Sequence, residues 1–251
     1  MAKYELDQGL ILENPLKTDF FASSPVSFFD KENKEVQLSF HDIIQKLENL
    51  VTEERLDKLN EVINNRTDNF VSILENIYDR GNVSAVMRSA EAFGFHNMHI
   101  IEQKSKAFKT SSRVTQGADK WLNVSIHETA KSSVESLKAK GFQIFATHLD
   151  AAQPISEIDF SIPTALVFGN EREGVSKEML DLIDGAVIIP MQGFSQSFNI
   201  SVAGALSFYH AYLNRMERMG CNGDLTEDQK QRLLANYLFR SVKNPLACMV
   251  Y

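Results

Sequence analysis

Cysteine is scarce in this sequence of 251 residues, which contains only Cys221 and Cys248. Both lie near the C-terminus and do not form a Cys-x-x-Cys pair, so neither a disulfide framework nor a zinc site is expected. Free thiols are typical of a reducing compartment. The sequence therefore predicts a cytoplasmic protein without a bound metal.

Long apolar runs are missing as well. Residues 1–5 are not followed by the apolar segment of a signal peptide. No run approaches the roughly 20 residues that a membrane-spanning helix needs, so no association with a membrane is expected. Hydrophobic residues nevertheless make up 43% of the chain, which is enough for one well-packed domain with terminal extensions.

The chain also lacks an excess of positive charge, since its formal net charge is −7 at pH 7. Nucleic-acid-binding domains are usually basic, so this balance argues mildly against such a partner. The charge is uneven, however, since residues 103–120 contain one acidic residue, Asp119, and five basic ones. The basic residues are Lys104, Lys106, Lys109, Arg113 and Lys120. This run fits a solvated loop as well as it fits an RNA-binding surface.

Complete motifs for nucleotide binding and for serine nucleophiles are also lacking. No Gly-x-Gly-x-x-Gly follows the first predicted strand, which disfavours a Rossmann dinucleotide site. Residues 169–176 have the glycine spacing of a P-loop, but Val175 replaces the lysine that would reach the phosphates. Residues 193–197 approach the Gly-x-Ser-x-Gly elbow and lack its second glycine. The sequence therefore disfavours NTPase and esterase chemistry.

Short apolar runs alternate with helical stretches over most of the chain. The runs, which we predict to be strands, cover 70–74, 99–101, 142–146, 164–168 and 186–189. The stretches with helical spacing cover 83–93, 128–140 and 177–183. This alternation predicts an α/β domain with a mostly parallel sheet and helices on both faces.

The two ends of the chain differ from this pattern. Residues 1–40 show weak periodicity and are interpreted as an extension, whereas residues 40–66 predict two amphipathic helices. Two long helices are expected near the C-terminus, at about 200–218 and 227–239. The predicted division is an N-terminal extension with helices at 1–66, a central domain at 67–218 and a helical tail at 219–251.

Three polar clusters stand at the ends of predicted strands, where ligands of α/β domains usually bind. The first contains Asn82 and Arg88, which by themselves fit a helix N-cap and a surface ion pair. The second places Gly169 after a strand, in an acidic loop that suits a cationic ligand. The third, residues 188–203, leads from a strand into a helix rich in small residues, which fits a tight interface or a packed core.

Taken in order, the clusters resemble the three signature motifs of the SpoU/TrmH family of RNA 2′-O-methyltransferases, in the SPOUT superfamily. They read N-x5-R, then FGxExxG, then IPMxGxxxSxNxSVA. The resemblance covers residues 70–212 and is strongest to tRNA guanosine methyltransferases. It implies transfer of a methyl group from S-adenosylmethionine to a ribose 2′-hydroxyl, with the D-loop guanosine of tRNA as the expected target. An rRNA 2′-O-methyltransferase and a non-catalytic RNA-binding relative remain the alternatives.

The resemblance also implies roles for individual residues. The implied catalytic residues are Asn82, Arg88, Glu171, Ser197 and Asn199. The implied cofactor contacts are Thr147, Gly169, Ile189, Met191 and Phe198. The expected RNA contacts are Arg80, Lys104, Lys106, Lys109 and Arg113. Because a guanidinium is a poor base at neutral pH, we expect Arg88 to stabilise the developing alkoxide or to hold a neighbouring phosphate.

The family folds its C-terminal part into a trefoil knot and works as a homodimer, so the resemblance implies both features here. Knots are very rare in proteins, and neither composition nor spacing predicts one. The helix at 200–218 is expected at the dimer interface because it carries small residues. These residues are Ser201, Gly204, Ala205 and Ser207. RNA is the expected partner, since the 2′-hydroxyl distinguishes RNA from DNA.

Overall fold

The computed structural model describes residues 4–5, 11–12, 22–29, 34–102, 112–149 and 153–249. Three of the predicted RNA contacts, Lys104, Lys106 and Lys109, lie outside these residues. The side chain of Arg113 also lies outside the described part. Among the described residues, no helix is both long enough and apolar enough to cross a membrane.

Strands and helices occur along the whole of the described chain. The strands are β1 (Tyr4–Glu5), β2 (Ile11–Leu12), β3 (Val26–Phe29), β4 (Glu35–Leu38), β5 (Thr67–Glu75), β6 (Phe95–Ile101), β7 (Asn123–His127), β8 (Gln143–Thr147), β9 (Gln153–Pro154), β10 (Thr164–Phe168) and β11 (Gly185–Ile188). The helices are α1 (Phe40–Leu47), α2 (Glu53–Asn64), α3 (Arg80–Ala92), α4 (Ser112–Thr115), α5 (Ala130–Lys138), α6 (Lys177–Leu182), α7 (Ile200–Met219), α8 (Glu227–Ser241) and α9 (Pro245–Met249). Short 3-10 turns cover Glu48–Leu50, Ala118–Trp121 and Ile155–Glu157.

The chain divides into two compact units. The terminal unit comprises residues 1–66 and 223–251, and the central unit comprises residues 67–222. The N-terminal and C-terminal segments, which the sequence analysis treats as separate, therefore belong to one unit.

In the terminal unit, a β-hairpin and several helices share an apolar core. Strands β3 and β4 pair antiparallel with Val26 opposite Leu38, and α1 and α2 both pack against α8. The rings of Phe28 and Phe239 lie 6.3 Å apart, so the hairpin contacts α8. Residues 1–40 show no core pattern in the sequence, and the hairpin corrects that interpretation because Phe28 and Leu38 are buried. The two amphipathic helices predicted at 40–66 are confirmed as α1 and α2.

The central unit is built on a seven-stranded sheet in the order β7-β6-β5-β10-β8-β11-β9. Its strand pairs are parallel, which confirms the predicted α/β class. Strand β10 is buried along its whole length, as expected for a strand covered on both faces. The implied trefoil knot stays a prediction.

Helices cover both faces of this sheet, because alternate residues of a strand point to opposite faces. On one face, Phe70 of β5 shares a core with Val86 of α3 and Phe208 of α7. On the other face, Ile73 of β5 shares a core with Val134 of α5, and α6 joins the same cluster. Strand β7 was not predicted, because its residues include Asn123, Ser125 and His127 and give only a weak apolar signal.

His99 is a buried histidine on β6, next to His127 on β7, with the two ring centroids 4.4 Å apart. Its Nδ1 atom lies 2.8 Å from the hydroxyl oxygen of Ser133. Burial lowers the pKa of His99 to about 3, and the positive charges of His127 and Lys140 act in the same direction. The ring is therefore neutral in the folded protein at neutral pH.

This burial makes the folded state sensitive to acid. The pKa of His99 is near 6.5 in the unfolded chain and about 3 in the folded protein. Above pH 6.5 the neutral ring costs the folded state nothing, and the free energy of unfolding decreases as the pH falls from 6.5 towards 3. The loss between pH 6.5 and pH 5 is about 2 kcal/mol. We expect urea unfolding at these two pH values to show this loss in the wild type and a smaller loss in His99→Asn. Equal losses in the two proteins would contradict the prediction.

Candidate active site

Three loops of the central unit leave the sheet at the carboxyl ends of strands. They are residues 76–79 after β5, 169–176 after β10 and 189–199 after β11. Strands β5 and β10 are parallel neighbours with Leu74 opposite Phe168, so the first two loops leave the sheet at the same edge. Each loop belongs to one of the polar clusters of the sequence.

Glu171, in the second loop, binds the first loop through its carboxylate. Its Oε2 accepts a hydrogen bond from the backbone N–H of Tyr78 at 2.9 Å, and its Oε1 accepts one from Asp79 at 3.2 Å. The side-chain amide of Asn82 donates to Oε1 at 2.9 Å. The oxygen of Asn82 accepts from the side-chain amide of Asn199 at 3.2 Å. One residue from each cluster thus joins a single hydrogen-bonded chain with Asn82 in the middle, which we call the Asn–Glu–Asn chain after the order of its members in the sequence.

The charge of Glu171 is set by two opposing effects. Partial burial raises the pKa of its carboxyl group, but the hydrogen bonds from Asn82 and from the backbone of Tyr78 and Asp79 together outweigh burial. The pKa therefore lies below its ordinary value, and Glu171 is a carboxylate at neutral pH. A carboxylate engaged in this way is suited to hold the first loop rather than to accept a proton.

Asn82 does not cap α3, contrary to the sequence analysis. The helix begins at Arg80, and its N-cap is Asp79, whose carboxylate accepts from the N–H of Gly81 at 2.7 Å. Asn82 therefore lies in the first turn, with its side chain bonded to Glu171. Asn199 is the residue that caps a helix, since its oxygen accepts from the first turn of α7. Its amide nitrogen is thereby left to donate to Asn82.

Two residues that the sequence analysis missed shape the second loop. Asn170 donates to the carbonyl oxygen of Asn76 at 2.6 Å and accepts from the N–H of Arg172 at 2.9 Å. Glu75, which is 2% exposed at the end of β5, accepts from the N–H and the O–H of Ser176 at 2.9 and 2.6 Å. The sequence signals that could have found them are an acid ending an apolar strand and an asparagine following a glycine.

Gly169 allows the second loop to fold back on itself. Asn170 and Gly174 exchange two backbone hydrogen bonds of 2.8 and 2.9 Å, which close the loop. A Cβ atom on Gly169 would lie 2.3 Å from backbone atoms of Gly174 and Val175. This glycine was predicted to let a ligand approach the backbone, and the structure shows that the loop's own backbone occupies the space.

A cavity of about 500 Å³ lies beside the Asn–Glu–Asn chain. It is lined by all the predicted cofactor contacts and by three of the predicted catalytic residues. These residues are Thr147, Gly169, Ile189, Met191, Phe198, Glu171, Ser197 and Asn199. Side chains that the sequence analysis did not single out complete the apolar part of the lining, among them Leu149, Phe168, Val187, Ile200 and Ala203. The cavity therefore combines an apolar wall with a few polar groups.

Arg80 and Arg88 are not part of the cavity lining. Arg88 is exposed on α3, and it makes no hydrogen bond or ion pair with any residue that the structure describes. Arg80 forms an ion pair with Glu102. Arg88 is thus available to a ligand or to a second chain, whereas Arg80 is already engaged within its own chain.

Helix α7 turns two of its four small residues, Gly204 and Ser207, inwards, whereas Ser201 and Ala205 are half-buried. Gly204 is buried, and a Cβ atom there would lie 3.3 Å from Val86 of α3. Ser207 is buried as well. The outward face carries large apolar side chains instead. These are Val202, Leu206, Tyr209, Leu213 and Met216, each at least 37% exposed.

The sequence matches one described protein family over most of the central unit. The profile of the SpoU rRNA Methylase family matches residues 69–209. This span contains the Asn–Glu–Asn chain and the residues that line the cavity.

Similar proteins extend the match beyond that span. The tRNA (guanosine(18)-2'-O)-methyltransferase of Escherichia coli is 37% identical over 184 residues, which cover 72% of this chain and 80% of the relative. The enzyme of the same name from Aquifex aeolicus is 33% identical over 198 residues, or 78% of this chain and 94% of the relative. The crystal structure of the A. aeolicus TrmH/SpoU tRNA modifying enzyme superposes with a TM-score of 0.70 at 33% identity and covers 76% of this chain and 98% of that chain.

Proposed function

Since the chain belongs to the SpoU rRNA methylase family, we propose that it methylates the ribose 2′-hydroxyl of guanosine 18 in tRNA with S-adenosylmethionine as methyl donor. The observation that carries this proposal is the Asn–Glu–Asn chain, which joins the three motif clusters beside one cavity. The similarity to tRNA guanosine methyltransferases over most of both chains supports the substrate.

The cavity fits a ligand of the size and chemistry of S-adenosylmethionine. Its volume of about 500 Å³ falls within the roughly 300–1,000 Å³ that small-molecule sites occupy. Phe168, Ile189 and Met191 offer an apolar surface to the adenine ring, and the carboxylate of Glu171 provides negative charge on the same lining. When bound, the cofactor supplies a methyl group that is activated by the positive charge on sulfur.

Alignment of the ribose is the main task that remains for the protein. Holding the hydroxyl in line with the methyl group can lower the barrier by about 7–11 kcal/mol in ideal cases. Glu171 holds the first loop against the second, and Asn199 joins the start of α7 to Asn82 of α3. The hydroxyl of Ser197 is exposed on the cavity lining and is placed to orient the ribose.

Arg88 supplies the positive charge that stabilises the developing alkoxide or holds the adjacent phosphate. It does not line the cavity of its own chain. We therefore place the Arg88 of the partner subunit at each cavity, in a homodimer with two complete sites. This arrangement explains why an arginine with no partner in the described part of the chain is exposed on α3.

The outward face of α7 supports the homodimer. Five large apolar side chains on one helix face form an exposed patch of the kind that marks an interface. In a two-fold dimer each such residue is buried twice, once on each subunit. The trefoil knot of the family is proposed for the C-terminal part of the central unit, where chain order and strand order interleave.

Charges on this face are expected to split the dimer. Leu206 and Leu213 are 40% and 44% exposed in the subunit, so burying the rest of each contributes roughly 0.6–1.3 kcal/mol. Leu206→Glu together with Leu213→Glu removes four such leucines per dimer and places four charges in the interface, so dimer affinity falls by about 100-fold or more. Sedimentation velocity at micromolar concentration should then show a monomer. Leu50→Glu makes the same change at an exposed leucine of the terminal unit and should leave the dimer intact. A double variant that sediments as the wild type does would remove α7 from the interface.

Methylation of defined RNAs tests the proposed function. The purified protein is given S-adenosylmethionine with unmodified tRNA transcripts and, separately, with rRNA fragments. We expect a methyl group on guanosine 18 of tRNA, located by resistance of the adjacent phosphate to alkaline cleavage. Methylation of rRNA with tRNA left untouched would replace the substrate, and transfer to neither RNA would reject the enzyme.

A further inference from the structure

Tyr78 is an exposed aromatic residue that the methyl-transfer geometry above does not use. Its side chain is 76% exposed, so it contributes little apolar burial to the fold. It lies in the first loop, one residue before the helix cap Asp79. An aromatic ring left in solvent beside a ligand cavity calls for a physical reason.

One contact holds the backbone of Tyr78 and another lies against its ring. The backbone N–H of Tyr78 donates to Glu171 at 2.9 Å. The guanidinium of Arg172 lies over the ring, 5.2 Å from its centroid, as in a cation–π contact. The N–H of Arg172 is itself bonded to Asn170 at 2.9 Å, so both partners of the ring contact belong to hydrogen-bonded loops.

Glu171 and Arg172 both line the cavity, so the ring stands next to the place where the ribose would be aligned. The guanidinium lies over the ring, and the side chain remains 76% exposed, so most of the ring surface is open to a ligand. Proteins that bind unpaired nucleotides stack bases on such aromatic faces and on arginine planes. Phe194, an exposed aromatic side chain of the third cluster, differs from Tyr78. It has no ring contact and no side-chain partner within the described residues.

We propose that Tyr78, backed by Arg172, is the platform on which the base of the methylated nucleotide stacks. This inference rests on the proposed function, because it needs an RNA ribose at the cavity. The platform positions the nucleotide through its base, while the Asn–Glu–Asn chain orders the loops that meet the ribose. Stacking accepts any base, so Tyr78 supplies affinity and placement rather than the choice of guanine.

A double comparison of protein and RNA tests the platform. The affinities of the wild type and of Tyr78→Ala are measured with the unmodified tRNA substrate and with the same tRNA lacking the base of the target nucleotide. Tyr78→Ala should weaken binding of the intact RNA about 5- to 150-fold, which corresponds to the roughly 1–3 kcal/mol of one base–aromatic stack. The two proteins should bind the abasic RNA equally, because the stacked base is missing from both complexes.

Variants and a control separate stacking from other roles. Tyr78→Phe should retain wild-type affinity, since it keeps the ring and removes only the hydroxyl. Phe29→Ala, at an exposed aromatic of the terminal unit, should leave the difference between intact and abasic RNA unchanged, and Tyr78→Ala should keep full affinity for S-adenosylmethionine. Equal losses on intact and abasic RNA, or a loss in Tyr78→Phe as large as in Tyr78→Ala, would overturn the platform alone. A wild-type protein that methylates no RNA would overturn the proposed function and the platform with it.

Discussion

Replacing Arg88 by alanine is expected to lower the rate of methyl transfer roughly 100- to 1,000-fold, the loss seen when one group that stabilises developing charge is removed. Affinity for S-adenosylmethionine should not change, because Arg88 does not line the cavity. Arg88→Lys should also fail, since a point charge does not replace a planar guanidinium with paired donors. Single-turnover transfer to tRNA and calorimetry with the cofactor measure the two effects separately.

A matched control for this variant is Lys131→Ala, which removes an exposed cation from α5 and should leave transfer unchanged. Transfer by Arg88→Ala within threefold of the wild type would remove Arg88 from the reaction. Because the guanidinium is exposed on α3, its loss should not destabilise the fold, and the thermal midpoint should stay within the small range typical of surface substitutions.

Mixed dimers tell whether Arg88 serves its own cavity or that of the partner subunit. Arg88→Ala and Glu171→Ala, each inactive alone, are mixed and allowed to exchange subunits. If Arg88 acts across the interface, each mixed dimer has one complete site, and activity returns to about one quarter of the wild type because half of the dimers are mixed. If it acts within its own chain, no mixed dimer has a complete site and activity stays absent.

The meeting of the three clusters could be predicted from the sequence, because each follows an apolar strand and parallel strands end at the same edge. Strands β10 and β11 lie within one residue of the predicted apolar runs, whereas β5 has nine residues where five were predicted. The partners within the site could not be predicted in the same way. Glu75 binds Ser176 and Asn82 binds Glu171 across about ninety to one hundred residues of chain, and no local pattern carries such pairings.

Helix boundaries show the same limit at shorter range. Asn82 and Asp79 are both good N-cap residue types, and only Asn82 was predicted as the cap. Asp79 is the N-cap. The side chain of Asn82 instead donates a hydrogen bond to Glu171, which lies on a loop that is distant in the sequence. The hairpin at Val26–Leu38 was missed for a related reason. Its buried residues, Phe28 and Leu38, find their apolar partners in distant helices of the terminal unit, including α8.

The inward turn of Gly204 and Ser207 on α7 follows from packing rather than from composition. A helix rich in small residues can pack closely against a neighbour within one chain or between two chains, and the sequence does not distinguish the two cases. Val86 of α3 occupies the space in front of Gly204, so the close contact is made within the chain. The exposed apolar residues on the opposite face are what remain for a second subunit.

Gly169→Val is the second variant with a large expected effect, and it should abolish detectable binding of S-adenosylmethionine. A Cβ atom at this position would lie 2.3 Å from the carbonyl carbon of Gly174 and from the nitrogen of Val175. Backbone atoms cannot yield as a flexible side chain can, so the second loop must open. That loop carries Glu171 and lines the cavity, so its displacement removes part of the cofactor site and releases the first loop.

The controls for this variant separate the loop from the fold. Gly169→Ala carries the same Cβ atom and should lose most of the affinity, by about 5- to 150-fold if the strain is the 1–3 kcal/mol of a typical overpacked site. Gly193→Ala makes the same change in the third loop, where the nearest atom to the new Cβ is 4.0 Å away, and should bind the cofactor as the wild type does. Strand β10 is anchored on both sides by β5 and β8, so circular dichroism should show a folded protein in all three variants. Unchanged cofactor affinity in Gly169→Ala, measured by calorimetry, would place the cofactor away from the second loop.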